Sequence, residues 1–396
     1  MRCQENSHAQ QGIQRALFAF EGHGGFQPAP PMLSSQPPGA TCPSSDALVT
    51  SVSWNCLPGS AELYADSYDL LMEPVEDILD EHEHCGWGNP LDLTVKATTS
   101  SSFEEFIEMR EDDCGNRVLM MGGFLQCHSV DEHLYHEMMV HPAFTAFQLQ
   151  AGRGPETIFL GGSGDGAGPR EVLRWRSVRN VTMVDIDYEV TRFSLEWMPT
   201  LSNGSFKDPR LKVVTGDAMA FLQELPEETA FDVLIMDFPD VADSQVLEKL
   251  YSEDFYRLCR RHMHAASVLA VQTGPCSQTT RAGYKARCQM LQQSILPNIA
   301  KVFQEAEVLL HPMATWKVDR KFPSEWSSFT LARLSSEELD YSREVWREHI
   351  DGELRYYSGE KHWAALNHPL PLANHLRELL RKPPKPKAAR AANSEL

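Results

Sequence analysis

Residues 157–166, TIFLGGSGDG, form an apolar run closed by a glycine-rich turn and a carboxylate, and their reading decides the fold of this 396-residue chain. Three runs of the same build follow: VTMVDID at 181–187, LKVVTGD at 211–217 and FDVLIMDFPD at 231–240. Between them lie stretches with helical spacing, GPREVLRW, YEVTRFSLEWM, AMAFLQEL and SEDFYRLCRRHM. Short buried runs alternating with amphipathic helices spell βαβ units, and hence a doubly wound α/β sheet with parallel strands. In such sheets ligands bind in the crevice beyond the carboxyl ends of the strands. Each run here delivers acid to that crevice: Asp165, Asp185 with Asp187, Asp217, and Asp237 with Asp240. A ligand that is nucleoside-like in one part and cationic in another fits that lining.

The rest of the chain is organised around this block. Residues 1–58 are rich in Gln, Pro, Ser and Gly and carry no apolar period, so a disordered or weakly ordered extension is expected. An acidic helical segment follows within 59–93, with DLLMEPVEDILDEH at helical spacing. Residues 94–145 begin with short alternating pieces punctuated by Gly115-Asn116 and Gly122-Gly123, as in a small antiparallel unit of β-hairpins. This unit leads into DEHLYHEMMVHPAF at helical spacing. The α/β block extends over 146–380 with the further strands ASVLAVQTG, EVLLHP and SFTLARL, and 381–396 reads as a basic disordered tail.

Composition excludes some partners. A net charge of −19 disfavours nucleic acid and anionic membranes and favours cationic ligands. No run approaches eighteen apolar residues and no basic-then-apolar leader opens the chain, so no membrane span and a cytoplasmic location are expected. Nine scattered cysteines without a CxxC pair read as free thiols. His82, His84 and Cys85 have metal-ligand chemistry, but an isolated EHEHC reads more simply as solvated surface.

Asp165 and Asp217 admit two readings each. Glycines 162 and 164 allow a tight turn and close ligand approach. At such a helix start an anion usually binds. Asp165 sits there instead, either to pair with a ligand ammonium or merely to cap the helix. Asp185, some twenty residues on, has the spacing of an acid that accepts hydrogen bonds from ribose hydroxyls. Asp217 either meets an adenine amino group or caps the helix that begins at Ala218. Asp237 and Asp240 bracket Phe238-Pro239, suited to binding an amine and removing its proton, since a protonated amine (pKa about 10) is no nucleophile. Tyr135 and His136, read from helical period alone, are a core aromatic and a satisfied polar residue.

Taken together these motifs resemble the spermidine synthase family, the polyamine aminopropyltransferases, over residues 100–380. DEHLYHEM is similar to its D-E-x-x-Y-H/Q-E-M segment, and GSGDGAGPREVL to G-G-G-D-G-x-x-x-R-E-x-x. VTMVDID is similar to V-T-x-V-E-I-D, MDFPD to D-x-x-D, and RYYSGEKHWAALNHPL to a late R-Y-Y-x-x-x-x-H-x-A-A stretch. The resemblance implies a Rossmann-like, methyltransferase-like sheet preceded by the small antiparallel β domain. The implied reaction moves the aminopropyl group of decarboxylated S-adenosylmethionine to a di- or polyamine such as putrescine and releases methylthioadenosine. Gly162, Gly164 and Asp165 would receive the aminopropyl end, Asp185 the ribose, and Asp217 with Ala218 the adenine. Asp237 would accept the proton, while Tyr135, His136, Asp240, Glu325 and Trp326 would place the amine. No permanently bound cofactor and no metal is implied, because the sulfonium is already activated, and the implied assembly is a homodimer or homotetramer. The chain departs from the pattern at Ser163, where the family has its middle glycine, and at Asp185, in place of Glu. It departs further near Glu104, which stands for a Gln, and at Pro323-Ser324-Glu325-Trp326, where the family has P-T-Y. Two competing readings are an S-adenosylmethionine-dependent N-methyltransferase, in which Asp165 would repel the methionine carboxylate, and a non-catalytic polyamine- or nucleoside-binding relative.

Overall fold

A computed structural model describes residues 70–74, 77–78, 80–82, 85, 93–239, 245–276, 295–312 and 326–367, all within the unit Leu57–Leu396. The extension 1–58, the tail 381–396, Asp240 and the segment 323–325 with Glu325 lie outside the described residues.

The first sheet is a four-stranded antiparallel meander, β1 (Thr94–Thr99), β2 (Ile107–Glu111), β3 (Arg117–Met121) and β4 (Phe124–His128), paired in sequence order. Met121 pairs with Phe124 across Gly122 and Gly123, whose φ angles of 57° and 83° make the two-residue hairpin turn that L-residues resist. One face of the meander, Ile107, Met109, Leu119 and Cys127, packs on Val190, Phe193, Met198 and Leu201 of the second layer. Two hydroxyl-to-carboxylate bonds seal the seam, Thr99 Oγ1 to Glu189 Oε1 at 2.6 Å and Ser101 Oγ to Asp187 Oδ2 at 2.5 Å.

The second sheet has seven strands. β5 (Thr157–Gly162), β6 (Asn180–Asp185), β7 (Leu211–Thr215), β8 (Phe231–Asp237) and β9 (Met263–Cys276) are parallel, and β10 (Glu305–Pro312) and β11 (Trp326–Arg333) close the far edge. The order is β10-β11-β9-β8-β5-β6-β7, with β11 antiparallel to both β9 and β10. The expected doubly wound α/β sheet behind a small antiparallel one is therefore present. Ile158, Phe159 and Leu160 of β5 and Val233, Leu234 and Ile235 of β8 are fully buried, which is why these runs carry apolar residues on both faces. β7 is the edge strand, and its Lys212, Val213 and Thr215 are exposed.

α1 (Glu132–Ala151) is the central helix. It lies against β8 and β9 and is buried over most of its surface, with Met138, Met139, Val140, Phe144 and Phe147 fully buried. Each such side chain stabilises the fold by about 1.5–3 kcal/mol. The helix runs through Pro142 and past position 145. Buried Glu137 accepts three backbone N–H groups, from Arg355, Tyr356 and Tyr357, at 2.8–2.9 Å, so the RYY segment is tied to α1 by charge-assisted bonds. The remaining helices used below are α2 (Ala167–Leu173), α3 (Tyr188–Trp197) and α4 (Ala218–Glu224). Among the described residues no helix is long and apolar enough to cross a membrane.

The expectation of free thiols needs correction. Cys85 and Cys114 form a disulfide, with Cα atoms 5.1 Å apart. Cys85 meets the β2–β3 turn, where Asp113 N donates to Cys85 O, and a separation of 29 residues carries no spacing signal. That bond also removes Cys85 as a thiolate ligand. Cys127 and Cys259 are free and buried.

Candidate active site

The strand order reverses between β5 and β8, and there the chain places its chemistry. Gly162 at the end of β5 is paired with Asp237 at the end of β8. Gly162 has a φ of 85°, and a Cβ on it would lie 2.1 Å from the Asp237 carbonyl oxygen, so only glycine fits. The close approach brings the glycine-rich turn and the fourth-strand acid to one point.

Asp237 is held on both carboxylate oxygens. Tyr135 Oη donates to Oδ1 at 2.7 Å, reaching down from the first turns of α1, and Ser163 Oγ donates to Oδ2 at 2.7 Å. Burial first, and the negative charge of Asp165 second, push the Asp237 carboxyl above its ordinary range. His136 and the two hydroxyl donors act in the opposite direction. Tyr135 itself packs edge-on to Phe329 of β11, at 4.9 Å between ring centroids. The backbone leaving Asp237 is held by Tyr251, whose hydroxyl lies 3.1 Å from the carbonyl oxygens of both Phe238 and Pro239.

Asp165 faces the same space. Its Oδ1 accepts the Ala167 N–H at 2.9 Å in a local turn just before α2, whose N-cap is Gly166, and its Oδ2 lies 3.3 Å from His136 Nε2. His136 is buried with its other ring nitrogen on Glu132, 3.0 Å from Oε2 and 2.8 Å from the carbonyl oxygen. Arg170 closes the chain with a two-pronged bond to Glu132 and a third to Glu171. Burial alone would depress the His136 pKa, but Asp165 and Glu132 outweigh it and raise it well above 6.5. Burial raises Asp165 as well, and the His136 imidazolium overrides that and holds the carboxyl below its ordinary range. Glu132 falls to about 2 for the same reason, with Arg170 added. Two carboxylates, Asp165 and Asp237, thus flank one imidazolium, and the cluster has net negative charge left to offer a cation.

A prediction follows for His136. A raised histidine pKa means that its ion pairs stabilise the fold fully below about pH 6.5. That stability is lost as pH climbs through the higher folded-state value. His136→Gln is expected to cost on the order of 3 kcal/mol at pH 6, the scale for breaking a buried pair. Urea denaturation should show the gap to wild type shrinking toward pH 10. A gap independent of pH would mean that His136 is neutral in the fold.

Asp185 ends β6 as expected. Its Oδ1 accepts the Asp187 N–H at 2.8 Å, and a Cβ on Gly164 would lie 2.8 Å from Oδ2, so Gly164 leaves room for this carboxylate. Burial raises its pKa to about 6, with Asp187 and Asp237 adding repulsion and backbone N–H groups opposing it. Asp187 caps α3 through the Glu189 N–H. Asp217 caps α4 through the N–H groups of Met219 and Ala220 and is exposed beside buried Ala218, at the edge of the sheet. Trp326 is buried at the head of β11, paired with Cys276 and Pro312. Glu104 lies in the β1–β2 loop, its carboxylate about 3 Å from where a Gly122 side chain would begin. Among the described residues no group of three His, Cys, Asp or Glu side chains is arranged to hold a metal ion.

The sequence reading brought together Gly162, Gly164, Asp165, Asp185, Tyr135, His136 and Asp237, and all meet around this crevice. It missed the hydroxyl of Ser163, the Glu132–Arg170 support behind His136, and Tyr251. The late RYY…H stretch works in packing, where Tyr357 Oη bonds Thr145 and His362.

The chain is similar in sequence and fold to known proteins. Residues 132–333 match the family model described as the spermine/spermidine synthase domain. A polyamine aminopropyltransferase of Synechococcus is 39% identical over 192 residues, 47% of this chain, and the chain spans only 60% of that relative's length. Polyamine aminopropyltransferase 1 of Hyperthermus butylicus is 30% identical over 251 residues, covering 63% of this chain and 80% of its own. A crystal structure of spermidine synthase in complex with the transition-state analogue AdoDATO superposes with a TM-score of 0.59 at 25% identity, covering 72% of this chain and 89% of that one. The spermidine synthase of Thermotoga maritima, at 24% identity and a TM-score of 0.58 over 72% of this chain and 88% of its own, has the same fold.

Proposed function

The chain belongs to the spermine/spermidine synthase family, and from that premise we propose that it is a polyamine aminopropyltransferase. It takes decarboxylated S-adenosylmethionine as co-substrate and a di- or polyamine such as putrescine as acceptor. The observation that carries this reading is the half-buried Asp237 carboxylate at the sheet's switch point, held by two hydroxyls and facing a second acid at Asp165. A pair of carboxylates around one imidazolium suits two successive cations, a donor ammonium and an acceptor ammonium.

Asp165 receives the ammonium of the donor's aminopropyl arm through the lone pairs that Ala167 and His136 leave open. Asp185 binds the ribose and Asp217 with Ala218 the adenine, while Tyr135, His136, Asp240, Glu325 and Trp326 place the acceptor. The acceptor ammonium gives its proton to Asp237, whose raised pKa narrows the gap to an amine of pKa about 10. The free lone pair then attacks the carbon beside the sulfonium. The C–S bond breaks with its electrons left on sulfur, giving neutral methylthioadenosine and a longer polyamine. Positioning in a fixed line supplies most of the acceleration. In this reading the α/β block 146–380, with Tyr135 and His136 of the helix that leads into it, carries the chemistry, and the protein acts in the cytoplasm as a homodimer or homotetramer.

Donor choice tests the proposal. Asp165 attracts an arm that ends in ammonium alone and repels one that also bears a carboxylate. Calorimetry is expected to show the decarboxylated donor binding about tenfold tighter or better than S-adenosylmethionine, at 1.4 kcal/mol per tenfold. Asp165→Asn should narrow the difference. Tighter binding of the carboxylated form would favour methyl transfer instead.

A further inference from the structure

Ser163 stands in the middle of the turn Gly162-Ser163-Gly164 with a φ of 66°, a left-handed backbone that non-glycine residues seldom adopt because Cβ crowds the backbone. Glycine would make this turn without strain, and the family pattern that the turn resembles has glycine here. The neighbourhood makes room for the side chain instead. Gly168, the second residue of α2, would place a Cβ 2.4 Å from Ser163 Oγ, so glycine is required opposite the hydroxyl. The serine is 5% exposed, and its hydroxyl donates to Asp237 Oδ2 at 2.7 Å while Tyr135 holds Oδ1 at the same distance.

We infer that Ser163 is a positioning residue for the Asp237 base: its hydroxyl and that of Tyr135 clamp the carboxylate, one oxygen each. This rests on reading Asp237 as the proton acceptor. A carboxylate held at one oxygen turns about its Cβ–Cγ bond, whose torsional preference is broad. Held at both, its plane is set, and each oxygen keeps a lone pair for an incoming N–H. Hydrogen bonds to the charged form also favour that form, so the serine opposes the burial and the Asp165 repulsion that push Asp237 toward protonation. The backbone strain is then the cost of a hydroxyl that glycine does not have.

Two variants separate hydroxyl from strain. Ser163→Ala removes the hydroxyl and keeps the left-handed residue; Ser163→Gly removes both. Both are expected to move the acidic limb of the pH profile of kcat/KM for aminopropyl transfer upward by about one pH unit, the scale of one lost bond to a carboxylate. Ser163→Gly should melt about 1–3 °C above Ser163→Ala. A limb that stays in place in both variants overturns the inference. The titration of Asp237 is also read without turnover, by carbon NMR of protein labelled at the aspartate carboxyls, with Asp237→Asn to assign the signal. The same upward shift is expected, and an unchanged midpoint overturns the inference. A shifted midpoint in a protein that transfers nothing would sustain the clamp and sink the proposed reaction, so the two failures are distinct.

Discussion

Asp237→Asn is expected to lower aminopropyl transfer by about 10²–10⁴-fold, the usual contribution of a positioned proton acceptor, while leaving a folded and more heat-stable protein. Asparagine keeps the shape and can still bond to the Tyr135 and Ser163 hydroxyls, but it takes no proton from an amine. The gain in stability comes from removing a partly desolvated charge that Asp165 repels. Its pH dependence has a definite sign. The folded-state pKa of Asp237 lies above the unfolded value, so its ionised form opposes folding. The variant's advantage in Tm should therefore be full above the folded-state pKa and fade as pH falls toward the ordinary carboxylate range. Steady-state kinetics together with calorimetric melting measure both effects, over a pH range that starts at about 3.9, the value of a free aspartate, and runs upward to neutrality. Near-normal turnover in the folded variant would remove Asp237 from the mechanism.

Gly162→Ala should do the greatest damage to the fold for one methyl group. The backbone there is left-handed, which costs an L-residue about 1–2 kcal/mol. A Cβ 2.1 Å from the Asp237 carbonyl oxygen must in addition push β5 and β8 apart at their ends. The expected loss is on the order of 4 kcal/mol or more, in the exceptional range for point substitutions, and any folded fraction should have the crevice acids displaced. Gly123→Ala is the matched control. Its φ is 83°, but an added Cβ meets nothing within 4 Å, so only the strain of about 1 kcal/mol applies. Denaturant unfolding of the two variants compares them, and equal losses would show that the close approach at Gly162 does not matter.

Much of this was legible in the sequence because burial on both faces leaves a plain record. The β5 and β8 runs are apolar because both their faces are covered, and the β5, β6, β7 and β8 runs lead into the acids because the strands stop at the crevice. Distant pairings left less trace. His136 reads as a routine helical polar residue until α1 packs on α2 and sets it between Glu132 and Asp165. Ser163 reads as a departure from a glycine pattern, and only its contact with Asp237 gives the hydroxyl a purpose. Asp217 caps α4, the plainer of its two readings, and lies exposed at the edge of the sheet. The Cys85–Cys114 bond joins segments whose approach depends on how the chain before β1 packs against a hairpin turn, which no local spacing encodes.

The central claim is the transfer of an aminopropyl group, and product mass tests it most directly. The full chain is incubated with decarboxylated S-adenosylmethionine and a panel of diamines and polyamines, and in parallel with S-adenosylmethionine. The account predicts an amine lengthened by one aminopropyl unit, with an equal amount of methylthioadenosine, from the decarboxylated donor only. Methylated amine from S-adenosylmethionine, or unchanged amine with every acceptor, would contradict it.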